Sequence, residues 1–268
     1  MSKNEIMKID CIYFDLDSVL YLPDDFLTAT LKLSVREMIL FGLKASFDEA
    51  LAYLDSIRKE DANAGDHFDR LCVHCNGEVD PIIVAAGVEK YRDSKHSNML
   101  AAPHAQVVLS RLAARYPLAV ISNGIPVKQA AKLVRLGLSH YFTRFDSSGN
   151  ILARHFFATY DPGRMKPAPY LWEEARKIMG YEFANSVMIG DRFWADILGA
   201  KRLGMRTVKV DQGGHIQETW EEAYRNAVIP DLFPEEISMQ EAGRLMTPDA
   251  TVKGLIELET VLAAFAWE

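Results

Sequence analysis

Residues 9–20 read IDCIYFDLDSVL, an apolar run rich in β-branched and aromatic side chains that stops abruptly at Asp15-Leu16-Asp17-Ser18. A short run of this kind, bounded by polar residues, predicts a buried strand over 9–14 followed by an acidic loop. Beyond Pro103 the same signature returns in alternation with helical spacing. Residues 104–115 predict a helix, 117–122 (PLAVIS) a buried strand, and 126–136 a helix opened by a proline. A looser stretch contains the turn signal DSSGN at 146–150. Then come a strand at 156–159 (FFAT), a helix at 167–179, a strand at 186–189 (SVMI), a helix at 194–203 and a strand at 207–210 (TVKV). Strands alternating with helices predict an α/β fold: a Rossmann-like, doubly wound parallel sheet with helices on both faces. The tail after Gly213 carries acidic helical stretches, ending in GLIELETVLAAF at 254–265, and is assigned no chemistry.

The character differs between residues 23 and 100. Phe26, Leu27, Leu31, Leu33, Val35, Met38 and Ile39, then Leu51, Leu54 and Ile57, recur near helical spacing without a convincing strand. The expected organisation is a core of 1–22 and 101–268 interrupted by an all-helical subdomain of 23–100. A chain of 268 residues is long enough for both.

The net charge of -7 supplies no field for a nucleic-acid backbone or an anionic membrane, so neither partner is expected. A small phosphorylated molecule remains compatible, because a local cation and a few donors can meet its charge. No apolar run approaches the ~20 residues of a membrane span, and residues 1–10 lack the apolar core of a signal peptide. With only three cysteines, the sequence predicts a cytoplasmic protein rather than a disulfide framework. Cys72 and Cys75 form a Cys-x-x-Cys, but no second ligand pair follows at zinc spacing. They are expected to be two thiols on a helix.

Chemistry-bearing residues gather where the predicted strands end. Asp15 and Asp17 follow the first strand, Ser122-Asn123-Gly124 the second, Lys166 precedes a helix, and Gly190-Asp191 with Asp196 follows a later strand. In a doubly wound sheet these ends converge on one crevice. Singly, each has an ordinary structural reading: a carboxylate after a strand is often a cap or turn residue, and a strand-end serine often bonds its own backbone. Their joint occurrence and order carry the argument.

In that order the residues resemble the four motifs of the haloacid dehalogenase superfamily. Residues 15–20, DLDSVL, are similar to its first motif, Ser122 to its second, Lys166 in MKPAP to its third, and residues 190–196, GDRFWAD, to its acidic fourth. Ser18 stands where Gly or Asp is frequent. The resemblance implies a magnesium-dependent phosphatase that hydrolyses a small phosphate monoester through an aspartyl-phosphate. It makes Asp15 the nucleophile and Asp17 the acid/base. Magnesium would be held by Asp15, Asp191 and the Asp17 backbone carbonyl, with Asp196 as acidic support. Phosphate oxygens would meet Ser122, the backbone N–H groups of Asn123 and Gly124, and Lys166, which would also pair with Asp15.

By the same resemblance the helical insert is a cap, and its polar segment 60–70 is where leaving-group contacts are sought. The dehalogenases of the superfamily lack the second aspartate, so Asp17 disfavours that chemistry. A phosphomutase, a phosphonatase using a cap lysine, and a non-enzymatic binding module on the same fold remain the alternatives.

Overall fold

Cys11–Phe14 (β1) lies at the centre of a six-stranded sheet whose neighbouring strands all run parallel. The order is Phe156–Thr159 (β5), Leu118–Asn123 (β2), β1, Ser186–Gly190 (β6), Arg206–Val210 (β7) and Ala250–Val252 (β8). The computed structural model describes residues 8–61, 65–226 and 237–265, without the side chains of 24–26 and 96. The chain winds outward from β1 through β2 to β5, returns to place β6 on the other side of β1, and continues to β7 and β8. This reversal between β1 and β6 opens a crevice at the strands' carboxyl ends, where ligands of such sheets bind.

Both faces of the sheet are covered, so its central strands β1, β2 and β6 are buried almost throughout rather than alternating. Cys11, Tyr13, Ala119, Ile121 and Met188 form one core with Leu171, Trp172 and Ala175 of Tyr170–Met179 (α7) and Ala200 of Gly199–Arg202 (α8). Trp172 is fully buried, a contribution on the order of 4 kcal/mol by area. Gly199 permits its approach: a Cβ there would stand 2.6 Å from the indole ring. On the opposite face Phe14 meets Phe142 edge to face at 6.2 Å. The turn Ser139–Phe142 contacts Ala105–Ala113 (α5), which in turn contacts Leu258–Phe265 (α11).

By contacts the chain divides into two units, Met1–Leu22 with Leu100–Glu268, and Pro23–Met99. The second consists of Pro23–Leu40 (α1), Phe47–Glu60 (α2), His67–Asn76 (α3) and Pro81–Asn98 (α4). Leu31, Val35, Met38, Leu54, Ile57, Leu71 and Ile83 form its core. Ser46 and Glu49 close a reciprocal capping box on α2, and Asp80 caps α4 ahead of Pro81. Gly87 lets α4 close on α1, since a Cβ there would lie 2.7 Å from Met38 Sδ. Cys72 is buried and Cys75 half-buried on α3, both as free thiols. Part of the segment 60–70 lies outside the described residues.

Several local expectations differ from the structure. The turn expected at 146–150 is present, but as the tip of a hairpin that the sequence did not show, between Thr143–Phe145 (β3) and Ile151–Arg154 (β4), strands too short to read by period. The helix expected at 194–203 is a π-helical turn, Phe193–Leu198, followed by α8. The tail contributes β8 as well as helices, Trp220–Asn226 (α9), Met239–Met246 (α10) and α11, which starts only at Leu258. Asp249 secures β8: its carboxylate accepts from Thr207 N at 2.7 Å and pairs with Lys201 at 2.5 Å. Among the described residues no helix is long and apolar enough to cross a membrane.

Candidate active site

Asp15, Asp191 and Asp196 converge at the carboxyl ends of β1 and β6. Each offers a carboxylate oxygen within 4.8 Å of the others, and all three are buried. Asp15 follows β1 directly, its N–H donating to the Ile189 carbonyl of β6 at 2.8 Å. Asp191 follows β6. Asp196 reaches back from the π-helical turn, where the Arg192 carbonyl accepts from both Asp196 N and Ile197 N. Wide turns of this kind re-aim side chains and recur at functional sites. Gly190 makes the return possible, since a Cβ there would lie 2.3 Å from that of Asp196.

Lys166 joins the cluster through Asp15 and Asp196. Its buried ammonium donates to Asp15 Oδ1 and Asp196 Oδ1, each at 2.6 Å. Asn123 fixes the lysine's backbone in the manner of a strand pair: Lys166 N donates to Asn123 Oδ1 at 2.7 Å, and Asn123 Nδ2 donates to Lys166 O at 2.8 Å. The other oxygen of Asp196 accepts from Arg192 N at 3.1 Å. Both its oxygens are therefore engaged, whereas both oxygens of Asp191 are buried with no hydrogen-bond partner. Ser122 Oγ is likewise buried without a partner.

The electrostatics follow from three buried carboxylates facing one ammonium. Burial drives the Asp15 carboxyl up to about 7; Lys166 opposes that shift, while Asp196 and Asp17 add to it. Asp191 is raised well above the carboxylate range, by burial first and then by Asp196 and Asp15, with Arg192 and Lys166 opposing. Burial by itself would lower Lys166, but its two carboxylate partners outweigh it and raise the ammonium's pKa. An all-oxygen, acid-rich cluster with two unpartnered carboxylate oxygens suits a hard divalent cation.

Asp17 is placed differently. It lies at the rim of the acidic cluster, its carboxylate bound by Tyr21, Lys132 and Gln129. Burial pushes its pKa up, but the Lys132 charge and these hydrogen bonds outweigh it and hold the group below its ordinary value. Ser18 adopts φ +61°, the left-handed region where Gly, Asn and Asp are favoured. The turn is clamped by Gln212, whose side chain donates to the carbonyls of Ser18 and Val19 at 3.1 and 2.8 Å.

One expected donor is otherwise engaged. Gly124 N–H donates to Thr159 O at 2.8 Å, extending the β2–β5 ladder, so it is not offered to a ligand in this structure. Lys132, Gln129, Tyr21 and Gln212 did not emerge from the sequence. A polar residue on an amphipathic helix reads the same whether it faces water or a carboxylate.

A HAD-hydrolase-like family model matches residues 164–236, the stretch that holds Lys166, Asp191 and Asp196. Over 228 residues the chain is 32% identical to the glyceraldehyde 3-phosphate phosphatase of Pyrococcus furiosus, covering 84% of this chain and 90% of that protein. The chain belongs to the haloacid dehalogenase-like hydrolases. Solved structures of HAD proteins share its fold. The HAD phosphatase of Thermococcus onnurineus superposes with a TM-score of 0.59 at 20% identity, over 94% of this chain and 97% of that one. A magnesium-bound putative HAD hydrolase of Bacillus subtilis gives 0.58 at 18% identity, over 95% and 99%. The expectation of a phosphoric monoester hydrolase agrees with what the curated relatives of this HAD-like chain are.

Proposed function

We propose that the protein is a magnesium-dependent phosphatase that cleaves a small phosphate monoester by way of an aspartyl-phosphate on Asp15. The observation that carries this reading is the buried Asp15–Lys166–Asp196 group beside an Asp191 whose two oxygens have no partner.

Asp15, Asp191 and the carbonyl of Asp17 are the magnesium ligands in this proposal. Bound there, the ion would supply the charge neutralisation that lets the Asp15 carboxylate approach phosphorus. Lys166 orients Asp15, and Asp196, with both oxygens occupied, anchors the lysine rather than the metal. Ser122 Oγ donates to a phosphate oxygen, as its lack of a protein partner supports. The Asn123 amide is a second donor.

In the first step an Asp15 oxygen bonds to phosphorus as the ester P–O bond breaks, and Asp17 protonates the departing oxygen. In the second, Asp17 takes a proton from water as that water attacks phosphorus, releasing phosphate and restoring Asp15. The helical unit 23–99 is proposed as the cap that selects the substrate. The relatives' name puts glyceraldehyde 3-phosphate first among the substrates to try.

The test is phosphate release from a panel of short-chain phosphate esters and an aryl phosphate, with magnesium and with chelator. Turnover that requires the metal supports the reading. Folded protein inactive on every ester, or equally active in chelator, contradicts it.

A further inference from the structure

Asp17 is held twice, by different parts of the chain. Its carboxylate is bound by Tyr21 and by Gln129 and Lys132 of Pro126–Arg135 (α6). Its main chain enters the following turn at Ser18, where φ is +61°. A residue other than glycine is disfavoured in that region by about 5- to 30-fold, because its Cβ crowds the next carbonyl oxygen. Such a conformation persists only where its surroundings hold it.

Within the turn, Leu20 N donates to Leu16 O at 3.0 Å, a bond that engages neither the Ser18 nor the Val19 carbonyl. Both of those accept from one group, Gln212 Nε2, at 3.1 and 2.8 Å. The arrangement sets the orientation of the amide, since reversing it would put an oxygen against two acceptors.

Gln212 is itself firmly placed. The preceding Asp211 is tied to the ends of two strands: its N–H donates to Val252 O of β8 at 2.7 Å, and its carboxylate pairs with the buried Lys209 of β7. The Lys209 ammonium lies 4.8 Å from the centroid of the Phe193 ring, at the start of the π-helical turn. Gly213 then passes against the serine. A Cβ on Gly213, at φ +72°, would stand 2.8 Å from Ser18 Cβ, so the serine side chain fills the room that the glycine leaves.

The φ of Ser18 is a rotation about the bond next to the Asp17–Ser18 peptide, which couples the turn's conformation to the direction of the Asp17 carbonyl. Upstream, the sheet holds the chain, with Asp15 N donating to Ile189 O at 2.8 Å. Downstream, Gln212 does. We propose that Gln212 is a positioning residue that keeps Ser18 left-handed and thereby aims the Asp17 carbonyl as a magnesium ligand. This rests on the proposed metal centre and is independent of the Asp17 carboxyl, which Tyr21 and α6 hold separately.

The size of the effect follows from populations. Without the clamp the binding-competent turn is one state in roughly 5 to 30, and the apparent Kd rises by that factor. Glycine takes positive φ about as readily as negative, so Ser18→Gly should shrink the loss to about twofold.

The experiment titrates magnesium into metal-free wild type, Gln212→Met, Ser18→Gly, the double variant Ser18→Gly/Gln212→Met, and Asp191→Asn. The apparent Kd is taken from the rise in melting temperature. Gln212→Met, which keeps the length of the side chain and removes both donors, should bind magnesium about tenfold more weakly. Ser18→Gly alone should match wild type, and the double variant should come within about twofold of it. General loosening of the loop would lower the metal-free melting temperature, and Ser18→Gly would then restore no metal affinity.

Asp191→Asn reports on the metal centre itself and should show no magnesium-induced shift. If it shows none while Gln212→Met keeps the wild-type Kd, or while the double variant is as weak as Gln212→Met, the positioning role is overturned. If Asp191→Asn keeps the wild-type shift, the proposed metal centre fails, and the positioning role with it. Gln212→Leu takes the place of Gln212→Met should that variant fail to fold.

Discussion

Lys166 is the residue on which the acidic cluster depends, because one buried ammonium serves two buried carboxylates. Lys166→Met should abolish turnover and cost about 3–5 kcal/mol, the range for breaking a buried ion pair by removing one partner. The sign of its pH dependence follows from linkage. A carboxyl whose folded-state pKa is raised binds more protons folded than unfolded between the two values, so stability falls as pH rises through that window. Losing the lysine raises these pKa values further, and the deficit in urea melts should be larger at pH 8 than at pH 5; an equal deficit would contradict the account. The same logic applies to Asp15, raised to about 7 from its ordinary 3.8: metal-free protein should lose stability as pH rises from about 4 to about 7. Magnesium should reverse that loss at neutral pH, by about 2.7 kcal/mol at a hundredfold excess over its Kd. Asp191→Asn should raise the melting temperature of the metal-free protein and abolish the magnesium-induced shift. An unchanged shift in that variant would remove Asp191 as a ligand.

The elements explain why those residues meet. Reversal of winding between β1 and β6 brings Asp15 and Asp191 side by side, and the π-helical turn after β6 swings Asp196 back over Gly190. Gly190→Ala should displace Asp196, loosen Lys166, and destabilise the protein by about 1–3 kcal/mol, as overpacking does. A thermal melt and an activity assay check this, and wild-type values for both would mean that Asp196 tolerates the displacement. The strand ends that carry Asp15, Ser122 and Asp191 were legible because an apolar run stopping at a polar residue marks them. The β3–β4 hairpin and β8 were not, being too short for periodicity to show. Nor was the π-helical turn, whose apolar spacing over 193–203 reads as an ordinary helix. The hydrogen bond from Gly124 N–H to Thr159 depends on where β5 pairs, and residues 122–124 do not disclose that.

At the scale of the molecule, the two units are separable in the chain. The core's own backbone joins the points where the insert leaves and returns: Ala102 N donates to Leu20 O at 2.8 Å, and Tyr21 bridges Ala101. Replacing residues 23–99 with a short polar linker should therefore leave a folded core that still shows the magnesium-induced shift in melting temperature. Under the proposed function it should lose discrimination among phosphate esters. An unfolded product by circular dichroism would mean that the insert is part of the core's stability. The α/β class and the helical insert were readable because helical and strand periodicities segregate cleanly along the chain. Tyr21, Gln129 and Lys132 gather on Asp17 only through the fold, so their sequence neighbourhoods carried no sign of it. The central claim, that Asp15 is the nucleophile, is tested most directly by magnesium-dependent phosphate release from wild type and Asp15→Asn, an exchange that keeps shape and removes the attacking charge. The account predicts turnover by wild type and a loss of at least about a thousandfold in Asp15→Asn on every ester; a variant as active as wild type would contradict it.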